Sequence, residues 1–207
     1  MIMQKVIKVE EQSKEETLIN LLCSQPPSRT LIFVSTKHKA DHLDDILYNE
    51  FLPCISLHGD RNQKERELAL QAFKSGRSPI LVATSLAARG LDVKDVLHII
   101  NFDLCDDIDE YVHRIGRTAR AGNPGLATTF YTDGDYVIAP QLTKLLLECN
   151  QEVPEFLNEF LPNVDNISYE KDFVDPDTYE QQHPLAMTSS DRQYNDGYRN
   201  SRPSETS

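Results

Sequence analysis

Six short runs of β-branched and apolar residues, Val6–Val9, Thr30–Ser35, Cys54–Leu57, Ile80–Thr84, Val96–Phe102 and Leu126–Tyr131, alternate with helical patterns along most of the chain. Several runs are apolar at consecutive positions, as strands buried on both faces are. Between them lie helical stretches at residues 14–24, 37–50, 63–75, 106–115 and 139–150. In the third stretch Leu68, Ala69, Ala72 and Phe73 fall on one face, and Gly76 is placed to end it. In the last, Leu142, Leu145, Leu146 and Cys149 form the apolar stripe, and Pro140 is tolerated only near the helix start. Strand–helix–strand repetition at this spacing predicts an α/β fold, a parallel β-sheet sandwiched by helices. Ligands of such folds gather at the carboxyl ends of the strands, so the loops after Ser35, Leu57, Thr84 and Phe102 are the ones to inspect.

The alternation stops after Pro162. Residues 163–207 are rich in Asp, Asn, Ser, Tyr and Pro and carry no periodic apolar face, which predicts a folded domain at 1–162 and a mostly disordered acidic tail. The formal charge is −12, with nine acidic and four basic residues in that tail. A basic field that would hold nucleic acid by charge alone is excluded. No apolar run approaches the ~20 residues of a membrane span, and Met1–Lys5 has no signal-peptide apolar core. Cys23, Cys54, Cys105 and Cys149 make no C-x-x-C pair, so neither a disulfide framework nor a zinc knuckle is indicated. The expectation is a chain with reduced cysteines, without membrane contact, in the cytoplasm or the nucleus.

Three segments carry chemistry. In His113-Arg114-Ile115-Gly116-Arg117-Thr118-Ala119-Arg120-Ala121-Gly122, helical spacing would place His113 with Arg117 and Arg117 with Arg120 on one face. Two guanidinium forks on a shared face suit one phosphate. Ala83-Thr84-Ser85 opens the second segment at the end of a buried strand, where either hydroxyl residue can cap a short helix. Gly90 then permits close backbone approach, and Asp92 offers an acceptor for ribose hydroxyls. In the third segment, His58–Arg66, Gln63 and Arg66 lie one turn apart at a helix start, a clamp for a sugar-phosphate backbone. Two other clusters read as structural. His38 and His42 lack the Glu of a zinc-protease helix and belong to a solvated face, and Asp106, Asp107, Asp109 and Glu110 suit the positive end of a helix dipole.

No glycine is followed by lysine, so the G-x-x-x-x-G-K-[ST] phosphate loop is absent, as is a D-E-A-D tetrad. Taken in order, Leu31-Ile32-Phe33-Val34-Ser35-Thr36, Gly59–Arg66, Thr84…Arg89-Gly90-Leu91-Asp92, Asn101-Phe102-Asp103-Leu104 and His113–Gly122 resemble the C-terminal RecA-like lobe of DEAD-box RNA helicases. The resemblance covers about residues 3–161, and Asn150–Pro154 looks like the subfamily that contains Vasa and its translation-initiation relatives. It implies a phosphate-loop NTPase-like fold without its own phosphate loop.

By the same resemblance Arg117 and Arg120 would contact the ATP γ-phosphate, one of them as the arginine finger, and Gly90 and Asp92 would hold the rest of ATP. Arg89 and His113 would couple the ATP site to RNA, and Thr36, Gly59, Gln63, Arg66 and Thr84 would grip the RNA backbone. Mg²⁺ would be held mainly by an N-terminal lobe supplied in cis or in trans, with the two-lobed protein a monomer and this chain alone inactive as an ATPase. The departures are Cys105 for the family's Pro, Ala119 for Gly and Leu86 for Val, of which the first would loosen the loop entering the next helix. Tyr194, Gly197, Tyr198 and Arg199 in the tail suit weak stacking on RNA. The second reading, from another class, is a stand-alone, non-catalytic module that binds RNA or a helicase partner.

Overall fold

The computed structural model describes residues 1–89, 96–119 and 124–162. Its strands are β1 (Ile2–Lys8), β2 (Thr30–Val34), β3 (Cys54–Leu57), β4 (Ile80–Thr84), β5 (His98–Asn101) and β6 (Gly125–Tyr131). Its helices are α1 (Lys14–Cys23), α2 (Lys37–Asn49), α3 (Gln63–Lys74), the single turn α4 (Ser85–Ala88), α5 (Ile108–Ile115) and α6 (Ala139–Glu148). All strand pairs are parallel, in the order β1-β6-β5-β2-β4-β3. This is the parallel sheet expected from the alternation of runs, in the RecA-like arrangement that the resemblance implies.

Every residue of β2 is buried, and the pleat sends successive side chains to opposite faces. Leu31 and Phe33 join the core covered by α3, α5 and α6, through Phe73, Tyr111 and Leu146. Ile32 and Val34 join the core under α1 and α2, through Leu18, Leu43 and Leu47. The sheet is thus a two-faced wall, and only its carboxyl and amino edges remain free to bind ligands.

Three expectations are corrected. The first strand begins at Ile2, ahead of Val6, because Gln4 is buried in it, with its amide on Gln151 Oε1 at 2.7 Å and its side-chain oxygen receiving Tyr111 O–H at 3.0 Å. In α3, Leu68 is half exposed while Ala69, Ala72 and Phe73 are buried. In α6 the buried positions are Ala139, Leu142, Thr143 and Leu146, and Cys149 faces solvent as the C-cap. Pro140 does lie in the first turn of that helix.

Besides Gly76 after α3, helix ends reveal two left-handed residues that are not glycine, of different kinds. After α6, Asn150 takes φ 51° and the Gln151 amide reaches back to Leu146 O at 2.8 Å, a closure that asparagine tolerates. After α2, Phe51 takes φ 59°, with the Leu52 amide on Leu47 O at 2.9 Å, although its side chain is 93% exposed. A side chain in this region costs about 1–2 kcal/mol, which glycine avoids. Phe51→Gly is expected to raise stability by about 0.5–1 kcal/mol after the added entropy of the unfolded chain is offset, measured by urea denaturation.

His98, buried on β5, shares a 2.8 Å hydrogen bond with Thr128 Oγ1 on β6, and burial pushes its pKa down to about 4. The unfolded imidazole takes up a proton below about pH 6.5, so between that value and 4 the unfolded state binds more protons. Stability therefore falls on acidification through this window, by up to about 1.4 kcal/mol per pH unit from this site. His98→Gln should flatten that part of the stability curve, and unchanged steepness in denaturation series would show the proton demand to lie elsewhere.

Candidate active site and nucleic-acid interface

Strands β5, β2, β4 and β3 are neighbours, so their carboxyl ends open side by side. Val34 lies opposite Thr84 and Leu57 opposite Ala83 in the ladder. That register brings the exits carrying Ser35-Thr36, His58-Gly59 and Thr84-Ser85 into one row. Thr36 caps α2, its hydroxyl accepting from the Lys39 amide at 3.2 Å. Asn62 and Glu65 form a capping box at the start of α3, which orients Gln63 and Arg66. Gln63 is exposed with its amide on Glu67 Oε1 at 2.8 Å, and Arg66 reaches Ala87 O at 3.5 Å, tying α3 to α4. A Cβ on Gly59 would meet no atom within 4 Å, so this loop offers bare backbone to a ligand.

The helix α5 ends sooner than the arginine spacing suggests. It stops at Ile115 with Gly116 as its C-cap, and the following amides bond three residues back, Arg117 to Arg114 O at 3.1 Å and Thr118 to Ile115 O at 3.2 Å. Arg117 therefore stands on a tightened turn beyond the helix, and the shared helix face expected for His113 and Arg117 does not extend to Arg117. His113 and Arg117 nonetheless line one cleft of about 360 Å³, together with Phe33, Ser85, Arg89, Glu110 and Arg114. Gly90, Asp92 and Arg120 lie outside the described residues, as do Tyr194, Gly197, Tyr198 and Arg199.

The floor of this cleft is Arg114, to which the sequence reading gave no role of its own. Its guanidinium is 6% exposed and spends every nitrogen. Nε donates to Ser85 Oγ at 2.9 Å, Nη1 to Asp103 O at 2.8 Å and Asn101 Oδ1 at 3.5 Å, and Nη2 to Glu110 Oε1 at 2.9 Å. It also lies 5.1 Å from the Phe33 ring centroid. Glu110 takes a second cation, Arg89, at 3.3 Å. A Ser85 hydrogen bond and then Arg114 outweigh its partial burial and hold its carboxyl below the ordinary range. The signal that finds Glu110 is its i,i+4 spacing from Arg114, which the helix-dipole reading of the acidic cluster overlooked. Asp107 does cap α5, accepting from the Asp109 amide at 2.9 Å. Cys105 is half-buried against the core, with Sγ on Asp107 O at 3.4 Å, so the loop into α5 keeps an anchor.

A second node sits behind the row of exits. Asp103, 5% exposed, accepts the Ser35 amide and hydroxyl on Oδ2, each at 2.8 Å, and Lys39 and Lys14 on Oδ1 at 2.9 and 3.2 Å. Burial opposes its ionisation, but the Ser35 amide, Lys39 and Lys14 outweigh it and leave the carboxyl below its ordinary range. Its charged form stabilises the fold above the unfolded carboxyl pKa of about 3.9, and that stability drains away as pH falls through the lower folded value. Asp103→Asn is expected to cost about 2 kcal/mol at pH 7, because it removes the buried counter-ion shared by Lys14 and Lys39 and leaves Lys14 only the exposed Glu11, at 2.7 Å. The difference between variant and wild type should shrink below pH 4, and a constant difference in acid denaturation would contradict this account.

The net character of the cleft is cationic. Glu110 is matched by Arg114 and Arg89, and Arg117 has no side-chain hydrogen bond or ion pair among the described residues.

Comparison with known proteins agrees with this geometry. Residues 13–122 match the family model described as the helicase conserved C-terminal domain. The chain is 32% identical to the Escherichia coli DEAD-box protein SrmB, solved bound to regulator of ribonuclease activity A, over 76% of this chain and 94% of that one, with a TM-score of 0.67. It is 33% identical to the RNA helicase Prp28 of Chaetomium thermophilum, solved bound to ADP, with a TM-score of 0.71, over 76% of this chain but only 40% of that one. The C-terminal domain of the DEAD-box protein Dbp5 is 32% identical, with a TM-score of 0.64, over 72% of this chain and 85% of that domain.

Proposed function

This chain belongs to the helicase conserved C-terminal domain family, in its DEAD-box branch, and we propose that it acts as the C-terminal lobe of an ATP-dependent RNA helicase. The observation that carries the reading is the Arg117 guanidinium, without a side-chain hydrogen bond or ion pair among the described residues, at a cleft where Arg89 and Arg114 already share the one carboxylate of Glu110. A phosphate is the natural complement of such a fork. ATP would be presented from an opposing lobe together with its Mg²⁺, since this sequence contains no phosphate loop. Among the described residues no group of His, Cys, Asp and Glu is placed to hold a metal.

In this reading Arg117 and Arg120 neutralise charge that develops on the γ-phosphoryl oxygens, and Gly90 and Asp92 receive the ribose side of the nucleotide. The row of Thr36, Gly59, Gln63, Arg66 and Thr84 takes the RNA backbone by sugar and phosphate, so recognition is independent of base sequence. Arg89, paired with Glu110, and His113 line the cleft, and in this reading they transmit closure between the ATP site and the RNA site. RNA affinity of this chain alone is weak and falls with salt, since few phosphates are contacted and the formal charge of −12 opposes binding. The Asn150–Pro154 segment supports a place near the Vasa-containing subfamily, although Asn150 and Gln151 also serve the turn that ends α6.

The test is ATP turnover in a two-lobed protein that contains this chain. Arg117→Ala and Arg120→Ala should each reduce RNA-stimulated hydrolysis by about 10³-fold or more while circular dichroism and melting stay unchanged. Near-normal turnover in both variants would refute the arginine-finger assignment. Measurable ATPase activity of the 207-residue chain alone would refute the dependence on an opposing lobe.

A further inference from the structure

The exits of β2 and β3 are held together by a single carboxylate oxygen. Asp41 lies in the second turn of α2, and its Oδ1 meets Ser56 Oγ at 2.9 Å, His58 Nε2 at 2.9 Å and Arg61 Nη2 at 2.8 Å. Arg61 also donates to Ser56 Oγ at 2.8 Å, and Lys37 at the start of α2 pairs with Asp60 at 2.5 Å. The residues on both sides of Gly59 are therefore tied to α2, while Gly59 itself faces open space.

His58 makes this arrangement hard to explain by packing alone. It is 4% exposed, its Nδ1 is buried without a partner among the described residues, and Nε2 has Asp41 as its counterpart. A buried polar atom left unpaired is destabilising, and an apolar ring would fill the same space without that cost. What the imidazole provides is an orientation, fixed by Asp41, for the peptide that leads into Gly59. Burial opposes ionisation of Asp41, but the hydrogen bonds from Ser56 and His58 and the charge of Arg61 hold its carboxyl below the ordinary range.

We propose that Asp41 is a positioning residue for RNA: it locks the loop around Gly59 against α2, so that Thr36 and Gly59 present one continuous seat to the sugar-phosphate backbone. The inference rests on the RNA reading above and adds to it a residue that touches no nucleic acid. The sign of its effect separates it from simple electrostatics. Removing a carboxylate beside a polyanion strengthens binding when charge alone acts. Loss of a positioning contact weakens it.

The experiment measures binding of a labelled oligouridine to the 207-residue chain by fluorescence anisotropy at fixed low salt. Asp41→Ala is expected to raise Kd by about fivefold or more, the loss of about one net hydrogen bond's worth of positioning. Asp41→Asn keeps an oxygen acceptor at the shared point and should return Kd to within about twofold of wild type. Asp45→Ala, on an exposed position of the same helix, should leave Kd unchanged or lower it. If Asp41→Ala does not fold, His58→Phe carries the same expectation of weakened binding. Binding by the variant as tight as wild type, or tighter, overturns the proposal while the RNA reading stands. Failure of the wild-type chain to bind the oligouridine removes the RNA reading itself, and this inference with it.

Discussion

A guanidinium cannot shed its proton to suit a buried position, so Arg114 dictates its surroundings. Its donors are met by Ser85 after β4, by Asn101 and the Asp103 carbonyl at the end of β5, and by Glu110 on its own helix, with Phe33 of β2 against its plane. Partners from so many elements mean that the strand exits cannot move independently without stranding a charge. The packing of α5 on the sheet, and with it the direction in which Arg117 emerges, follows from this demand. Beneath it a polar chain continues into the sheet: Asn101 donates to Thr129 Oγ1 at 3.1 Å, and Tyr111 O–H to Gln4 at 3.0 Å.

Asp103 extends the same logic toward the nucleic-acid face. Its carbonyl serves Arg114 and its carboxylate serves Ser35, the residue before Thr36. The cleft and the row of strand exits are thereby joined through one residue whose backbone answers to one site and whose side chain answers to the other. Lys39 of α2 and Lys14 of α1 close around the same oxygen, so both helices on that face of the sheet are keyed to the position of β5. Small residues on the rim, such as Ser85 and Ser35, contribute through hydroxyls that a propensity scale ranks as mediocre.

Much of this was legible in the chain. The six strands are marked by consecutive apolar residues, and the ligand-binding edge follows from parallel connectivity. The segment from His113 to Arg120 stands out because three guanidiniums within seven residues are costly to place without a purpose, whereas the roles of Thr36, Gly59 and Thr84 come from the family resemblance alone. Two classes of feature stayed hidden. Helix α5 ends at Ile115 as the stretch 106–115 has it, but the tightened turn that then carries Arg117 off the helix is something helical spacing cannot foresee. The partners of Arg114, Asp41 and Asp103 come from segments far apart in sequence, so local pattern shows at most one side of each contact. Glu110 does stand in the first turn of α5, as the helix-dipole reading has it, and that sufficient local explanation left its pairing with Arg114 and Arg89 unread.

The edges of the sheet carry a consequence for how the chain is made. On one side β3 is covered by α2, where Asp44 accepts the Ser56 amide at 3.0 Å and so occupies a group that would otherwise template foreign strands. On the other side β1 has a single neighbour, β6, with Ile2 opposite Gly125 and Lys8 opposite Tyr131. A ribosome adding residues at roughly 5–20 per second leaves β1 without its partner for on the order of 10 s after it has been synthesised. Its alternation of exposed Met3 and Lys5 with buried Gln4 and Val6 suits that wait. A strand with charge on one face and little apolar area on the other is a poor nucleus for aggregation, yet it seals the sheet once β6 arrives. Of the six strands of this sheet, the one translated last is thus the one that admits the one translated earliest.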